Sequence, residues 1–158
     1  MSDGAGLPLA LSDLVAELQA KELLAATITY GHAFGGDYEA VSVFSALAVA
    51  RHVAHADAAV VAMGPGIVGT NTRLGFSGME VGTILDAAHA LDGVAIACLR
   101  ISFADERPRH YGLSHHSATA GSWLCSAAAT TGIPSIDSTS ASASRCSSVL
   151  PTSAWRLV

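Results

Sequence analysis

The segment Ala58–Gly66, AAVVAMGPG, decides the fold class. Its first six residues, Ala58–Met63, form a short apolar run that Gly64 and Pro65 stop. A continuous apolar run of this length, bounded by turn residues, is typical of a strand buried on both faces of a parallel sheet. The segment therefore predicts one strand of such a sheet.

Helical and strand patterns alternate on both sides of this run. The predicted order is helix, strand, helix, strand, helix, strand, over Leu11–Leu24, Ala25–Tyr30, Tyr38–Val53, Ala58–Met63, Ser77–Leu91 and Val94–Ile101. Alternation at these lengths implies right-handed crossovers and parallel pairing. We therefore expect an α/β fold, a short parallel sheet with helices on both faces. This is a Rossmann-like three-layer core, which we expect to be incomplete.

Two of the predicted helices begin with capping signals. Ser12 precedes the first apolar helical residues and can accept a hydrogen bond from the first turn. Ser77 and Glu80 have the spacing of a capping box, in which each side chain bonds the other residue's backbone. Both signals predict where these helices begin.

Composition limits the classes of function. A chain of 158 residues with 51% apolar residues can bury the core of one domain. The net charge of −5 argues against a nucleic acid or an anionic membrane as partner. No signal peptide is evident, and no apolar stretch approaches the roughly 20 residues of a membrane-spanning helix. Three cysteines without close spacing fit a reducing compartment, so we expect a cytoplasmic protein.

The composition changes near residue 118. Beyond it Ser, Thr and Ala dominate, and the stretch Ser138–Ser148 is low in complexity. We expect an α/β domain over residues 1–118. We expect a Ser/Ala-rich tail over residues 119–158 that is disordered or weakly docked.

A glycine-rich loop, Gly64–Gly78, joins the second predicted strand to the third predicted helix. Five glycines in fifteen residues let the backbone approach a ligand closely, and backbone N–H groups, hydroxyls and a guanidinium can surround an anion. The alternative is a long structural turn that merely needs glycines. The candidate ligand-binding residues are Gly64, Gly66, Gly69, Thr70, Thr72, Arg73 and Ser77, with Arg107 from a later loop. Although Gly64–Gly69 fits the pattern G-x-G-x-x-G, NAD is not expected, because eight further residues, 70–77, separate it from the first helical residue after the cap.

A histidine-rich segment, Ser102–His116, follows the third predicted strand. It should meet the glycine loop and the loop after the first strand at one sheet edge. The candidate catalytic residues are Asp105, His110, His115 and His116; the candidate ligands of a divalent metal are His32, Asp37 and His115. Three interpretations stay open: metal binding, acid–base or anion-binding roles, and surface residues without chemistry. Adjacent histidines such as His115 and His116 are expected to diverge, which would make them a poor chelate.

Several motifs in this order resemble one bacterial family. They are Thr29–Ala33, Gly64–Gly66, Gly69-Thr70, Gly75–Gly78, Leu99–Asp105 and Ser114–His116. They are similar to an uncharacterised family, domain of unknown function 3866, over about residues 11–118. The resemblance implies no reaction, because the family has no established activity. It implies that the chain is a fragment of a longer family domain, without the family's N-terminal part and with an atypical C-terminal tail.

Two functional hypotheses follow. The first is a ligand-binding domain, with or without enzymatic activity, that takes a small anionic or phosphorylated molecule. The second is a non-catalytic module for interaction or homo-oligomerisation. The second is favoured by the lack of a complete catalytic constellation and by alanine-rich helices with few charges.

Overall fold

The computed structural model describes residues 1–121 and the strand Arg156–Leu157. The described residues fall into two compact units, the first formed by Met1–Cys98 with the final strand and the second by residues 99–121. The predicted tail, apart from residues 119–121 and this strand, lies outside the described residues. The predicted division at residue 118 therefore stays a prediction.

Three α-helices belong to the first unit, α1 (Asp13–Ala20), α2 (Val43–His52) and α3 (Glu80–Ala90). Ser12 caps α1 as predicted, since its Oγ accepts a hydrogen bond from the Val15 N–H at 3.3 Å. In the second unit, residues 115–121 are helical. Within the described part of the chain, no helix is both long and apolar enough to cross a membrane.

The helix predicted over Tyr38–Val53 begins later than expected. Tyr38–Ala40 is a strand, and α2 starts after Ser42, whose Oγ accepts a hydrogen bond from the Ser45 N–H. The Ser45 hydroxyl accepts in return from the Ser42 N–H at 3.1 Å. This capping box fixes the helix start and leaves the preceding residues free to pair as a strand.

The capping box predicted for Ser77 and Glu80 is wrong. The Ser77 Oγ accepts a hydrogen bond from the Val68 N–H at 3.2 Å, and the Glu80 carboxylate accepts one from the Ser2 hydroxyl. Residues Ser77–Met79 form a 3-10 turn before α3 without a side-chain cap. Each of these two side chains therefore bonds a residue of another segment instead of the other's backbone.

In the described part of the chain, seven short strands form three small sheets. They are β1 (Ile28–Tyr30), β2 (Tyr38–Ala40), β3 (Ala58–Ala59), β4 (Val94–Ala95), β5 (Ile101–Ser102), β6 (Gly112–Leu113) and β7 (Arg156–Leu157). β1 and β2 pair in parallel, and β7 lies between β3 and β4, parallel to both. The α/β class and parallel pairing are confirmed, although not as one sheet. The strand predicted over Val94–Ile101 is divided, because β5 pairs instead with β6, antiparallel, in the second unit.

The first three residues act as a linking strand within the first unit. The Tyr30 N–H bonds the Met1 carbonyl at 3.0 Å, and the Gly64 N–H bonds the Ser2 carbonyl at 2.7 Å. Ser2 also forms a parallel bridge with Met63. The start of the glycine-rich loop is thereby tied to β1, which the sequence patterns did not indicate.

The core of the first unit lies between α2, α3 and β1. Its buried residues are Tyr30, Val43, Ala46, Leu47, Ile84, Ala87 and Ala88. Alanine at these helix positions lets the backbones of α2 and α3 approach closely, with little side-chain entropy lost. The alanines on the facing sides of α2 and α3 therefore contribute to the close packing of these two helices.

Candidate metal centre

Three histidines of the second unit form a compact cluster. One ring nitrogen from each of His110, His115 and His116 lies within 4.8 Å of the others. His110 is buried, and His115 and His116 are half-buried. The His115 and His116 rings, whose centroids are 4.0 Å apart, do not diverge as expected for neighbours in sequence.

A small hairpin brings these histidines together. The 3-10 turn Pro108–His110 is closed by the His110 N–H, which bonds the Arg107 carbonyl at 2.8 Å. β6 then runs back along β5, and the Ser114 N–H bonds the Arg100 carbonyl at 2.9 Å. The Arg100 N–H donates to the Ser117 Oγ at 3.0 Å, fixing the start of the helical residues 115–121. The cluster thus sits where the hairpin turns into helix.

Ser114 orients the buried histidine. Its Oγ lies 2.9 Å from His110 Nδ1, and the Ser114 residue is fully buried. This hydrogen bond occupies Nδ1 and leaves Nε2 as the nitrogen for a ligand contact. A hydrogen bond to the second ring nitrogen is the usual way in which a protein fixes the ring of a metal-binding histidine.

The surroundings favour neutral imidazoles. Burial, with the positive charges of Arg107 and Arg100, lowers the pKa of His110. Burial, followed by the neighbouring histidines, lowers the pKa of His116. The charged form is disfavoured in both cases, and the neutral form is the one that binds metal ions. The surroundings of His110 and His116 therefore favour the form of the imidazole that can bind a metal ion.

The Asp105 carboxylate forms ion pairs with Arg100 and Arg107. It accepts from Arg107 Nε at 2.9 Å and from Arg107 Nη2 and Arg100 Nη2, each at 2.8 Å. These hydrogen bonds, above all those from Arg107, hold its pKa well below the usual range. The predicted catalytic carboxyl is thus an ionised partner of two arginines. Arg107, predicted to bind an anionic ligand, already has a carboxylate from the chain itself.

The turn at the start of the glycine-rich loop holds an anion, and that anion is Asp3. The Gly66 N–H donates to Asp3 Oδ2 at 3.0 Å, and the Ala5 N–H donates to Oδ1 at 2.8 Å. A Cβ at Gly64 or Gly66 would lie 2.3 or 2.2 Å from a carboxylate oxygen. These glycines leave room for the carboxylate of Asp3, and binding of an external anion by the loop stays a prediction.

The rest of the loop is stabilised within itself. Gly69 and Phe76 form an antiparallel bridge, and the Thr70 N–H bonds the Gly75 carbonyl at 2.6 Å. The Thr70 and Thr72 hydroxyls lie 2.8 Å apart. Arg73 follows Thr72 in sequence and is exposed. The hydroxyls predicted to contact a ligand serve this small hairpin.

His32 and Asp37 lie in the first unit, and both are exposed. Asp37 Oδ2 accepts from the Thr27 N–H and the Thr27 hydroxyl, each at 2.8 Å. These bonds lower the pKa of Asp37. Among the described residues, the three-histidine cluster is the group of potential metal ligands that the structure assembles, and neither His32 nor Asp37 belongs to it. The predicted meeting of all three loops at one sheet edge stays a prediction.

The sequence patterns predicted catalytic roles for the three histidines but a metal site for His115 alone. The nine residues between β5 and β6, 103–111, contain no two-residue hairpin-turn signal, so local spacing did not predict the pairing of these strands. That pairing brings His110 back toward His115 and His116.

Comparison with known proteins identifies a family of unknown function. No curated protein and no solved structure matches the chain significantly. A family model described as "Protein of unknown function (DUF3866)" matches residues 1–153. The matched range is wider than residues 11–118, the range over which the sequence motifs resemble the family. The chain therefore belongs to the DUF3866 family.

Proposed function

We propose that this chain is a divalent-metal-binding α/β domain, with the metal held by His110, His115 and His116. The observation that supports the proposal is the approach of three imidazole nitrogens to within 4.8 Å of one another. Nitrogen ligands of this kind suit zinc and its neighbours in the first transition row. Three protein ligands leave a coordination position for water or a substrate, as in catalytic zinc sites.

The glycine-rich loop is not part of this proposal. Its backbone donors at Gly66 already bond the Asp3 carboxylate, so an external anion would have to displace a charged group of the chain. A reducing, cytoplasmic setting is proposed alongside, since Cys98 is an exposed free thiol.

The test is a metal titration of the full chain. We expect Co²⁺ to give the visible absorption of a nitrogen-ligated ion and Zn²⁺ to compete for the same site. We also expect Zn²⁺ at 100 times its dissociation constant to stabilise the fold by about 2.7 kcal/mol in thermal unfolding. The control variant His32→Ala should bind Co²⁺ as the wild type does. A featureless Co²⁺ spectrum, or an equal loss of binding in His32→Ala, would contradict the proposal.

A second candidate function, self-association, is favoured by one face of the β5–β6 hairpin. Ile101 is directly opposite Leu113, and the Phe103 and Tyr111 rings stack edge to face at 5.7 Å. All four side chains are exposed, between 45% and 72%. Apolar side chains gathered on a two-stranded hairpin are typical of a pairing surface for a second copy.

Light scattering across a range of concentrations tests this second candidate. We expect the wild type to form a dimer and Phe103→Lys to shift the protein toward the monomer, because a charge would have to be buried in the interface. Leu74→Lys, at another exposed leucine in the first unit, is the matched control. A wild type that stays monomeric at every concentration would exclude self-association through this face.

A further inference from the structure

Three parallel segments of the first unit end at the same edge. The first three residues run between β1 and the chain that leads into the glycine-rich loop. The Met1 amino group donates to the Ile28 carbonyl, and the Met1 carbonyl accepts from the Tyr30 N–H at 3.0 Å, which is the pattern of parallel strands. On the other side, Ser2 and Met63 form a parallel bridge. The carboxyl ends of all three segments therefore point the same way.

This edge carries an open cleft, the strand-end cleft. Its volume is about 300 Å³, with the solvent at its mouth included. Many of its lining residues come after the end of one of the three segments: Leu7, Pro8 and Leu9 after the first, Ala33 after β1, and Gly64 and Pro65 after the third. Open parallel sheets bind ligands outside the carboxyl ends of their strands, and ligand cavities begin at about this volume. The strand-end cleft thus has the position and the size of a site for a small ligand.

The side-chain charge of the strand-end cleft is negative. Asp3 lines it and is only 3% exposed, and none of the described lining residues is a lysine, arginine or histidine. Met1 also lines it, but its amino group donates to the Ile28 carbonyl, and burial lowers the pKa of that amino group, which disfavours its charge. Glu80, whose carboxylate accepts from the hydroxyl of the lining residue Ser2, adds a further negative charge.

The Asp3 carboxylate has capacity for a further donor. Its Oδ1 accepts from the N–H groups of Ala5 at 2.8 Å and Leu7 at 3.4 Å, and its Oδ2 accepts from the Gly66 N–H at 3.0 Å. Oδ2 lies at the wall of the strand-end cleft, because a Cβ added to the lining residue Gly64 would be 2.3 Å from it. Each carboxylate oxygen has about two acceptor positions, so Oδ2 can accept a hydrogen bond from a ligand.

The start of α1 favours an anion instead, but its effect is smaller. Ser12, which caps α1, lines the strand-end cleft, and a helix N-terminus carries about half a positive charge. Asp13, in the first turn, opposes that partial charge. Because Asp3 contributes a full negative charge, the strand-end cleft suits a cation.

We propose that the strand-end cleft binds a small organic cation of the alkylammonium class. Its ammonium group donates to the Asp3 carboxylate, and its alkyl chain contacts the apolar residues Leu7, Pro8 and Leu9. The attraction between an ammonium and a nearly buried carboxylate is stronger than in water, because protein surroundings screen charge less. The site lies in the first unit and uses none of the clustered histidines, so it is independent of the proposed metal function.

The experiment titrates the full chain with isopentylammonium and follows the backbone amide signals by NMR, with a chelator present to keep metal ions out. Isopentanol and isocaproate carry the same alkyl group with a neutral and an anionic head group. We expect isopentylammonium to shift the amide signals of Gly64 and Gly66 until saturation. Isopentanol should bind at least about tenfold more weakly, because it lacks the charge that pairs with Asp3, and isocaproate should not bind.

Variants of the same chain locate the binding. Asp3→Asn removes the charge and should weaken the binding of isopentylammonium by about tenfold or more. Ala33→Leu keeps Asp3 but fills the strand-end cleft, so it should abolish binding. Ala10→Leu, at an exposed position between the lining residues Leu9 and Leu11, is the matched control and should bind as the wild type does.

Several outcomes would overturn the proposal. They are the absence of a saturable shift with isopentylammonium, equal affinities for the three compounds, tighter binding of isocaproate, and undiminished binding in Ala33→Leu. The comparison of the three compounds needs only the wild type, so it decides the matter even where a variant does not fold.

Discussion

Replacing Asp3 with alanine is expected to lower the free energy of unfolding by about 3 kcal/mol. Asp3 is only 3% exposed, and its carboxylate accepts hydrogen bonds from the N–H groups of Ala5, Leu7 and Gly66. Alanine would remove the shared charged acceptor of these partly buried N–H groups, and a hydrogen bond to a charged group contributes about 1.5–3 kcal/mol. Urea unfolding followed by circular dichroism measures the loss.

Two further variants check that the effect comes from this contact. Gly66→Ala should also destabilise the fold, because its Cβ would lie 2.2 Å from the Asp3 carboxylate. Asp57→Ala removes an exposed carboxylate from the same unit and should change the free energy of unfolding by less than about 0.5 kcal/mol. If Asp3→Ala were no more destabilising than Asp57→Ala, the assignment of Asp3 as the internal anion of the loop would be wrong.

The same contact predicts a pH dependence. Burial of the Asp3 carboxyl opposes its ionisation, but the backbone hydrogen bonds outweigh it and lower the pKa below the model-compound value of 3.8. A carboxyl whose pKa is lower in the folded state stabilises the fold fully above its unfolded-state pKa, and this contribution is lost as the pH falls through the folded value. Between pH 5 and 2 (about the range of that transition), Asp3→Asn should therefore lose less stability than the wild type does. Parallel profiles for the two proteins would exclude this coupling.

Replacing His116 with alanine is expected to weaken Zn²⁺ binding by more than about 100-fold. Removal of a residue that only orients a metal ligand typically costs about 10–100-fold in affinity, and loss of a ligand should cost more. His116 suits the test because it is half-buried, whereas His110 is buried and its replacement would also disturb packing. Competition with a coloured chelator measures the affinity.

Two further variants show whether the loss of affinity in His116→Ala is specific to the histidine cluster. Ser114→Ala removes the partner of His110 Nδ1 and should weaken Zn²⁺ binding about tenfold, since the ring loses its fixed orientation. His89→Ala, at an exposed position in the last turn of α3, should leave the affinity unchanged. An affinity in His116→Ala equal to that of His89→Ala would show that the cluster does not hold the metal.

Local signals located parts of both the fold and the site. Ser12 at the start of α1 was predictable, because a cap acts over a few residues. The Ala58 segment pairs in parallel as predicted, but only Ala58–Ala59 is strand and Val60 is 70% exposed, so the burial predicted from its apolar run is wrong. The three histidines were recognisable by residue type alone. The clustering of these histidines was not predictable from sequence. It depends on the antiparallel pairing of Ile101 with Leu113, two residues that are twelve apart in sequence.

Where sequence reasoning failed, a distant partner had replaced a local one. Ser77 bonds Val68 and Glu80 bonds Ser2, so the capping box that their spacing suggested does not form. The anion of the glycine-rich turn is likewise Asp3, which precedes Gly66 by 63 residues. No periodicity or motif encodes such a contact, since its energy arises only when the two segments are already folded together.

The sequence alone determined that the chain is of the α/β class, that a glycine-rich loop has the backbone freedom to approach an anion, and that three histidines follow the last predicted strand. These features depend on residue type and short-range spacing, which are read directly from the chain. Only the tertiary structure decided that the anion is Asp3 and that His110, His115 and His116 share one site. Both results depend on which backbone segments pair, and pairing is settled by the burial and hydrogen bonding of the folded chain as a whole.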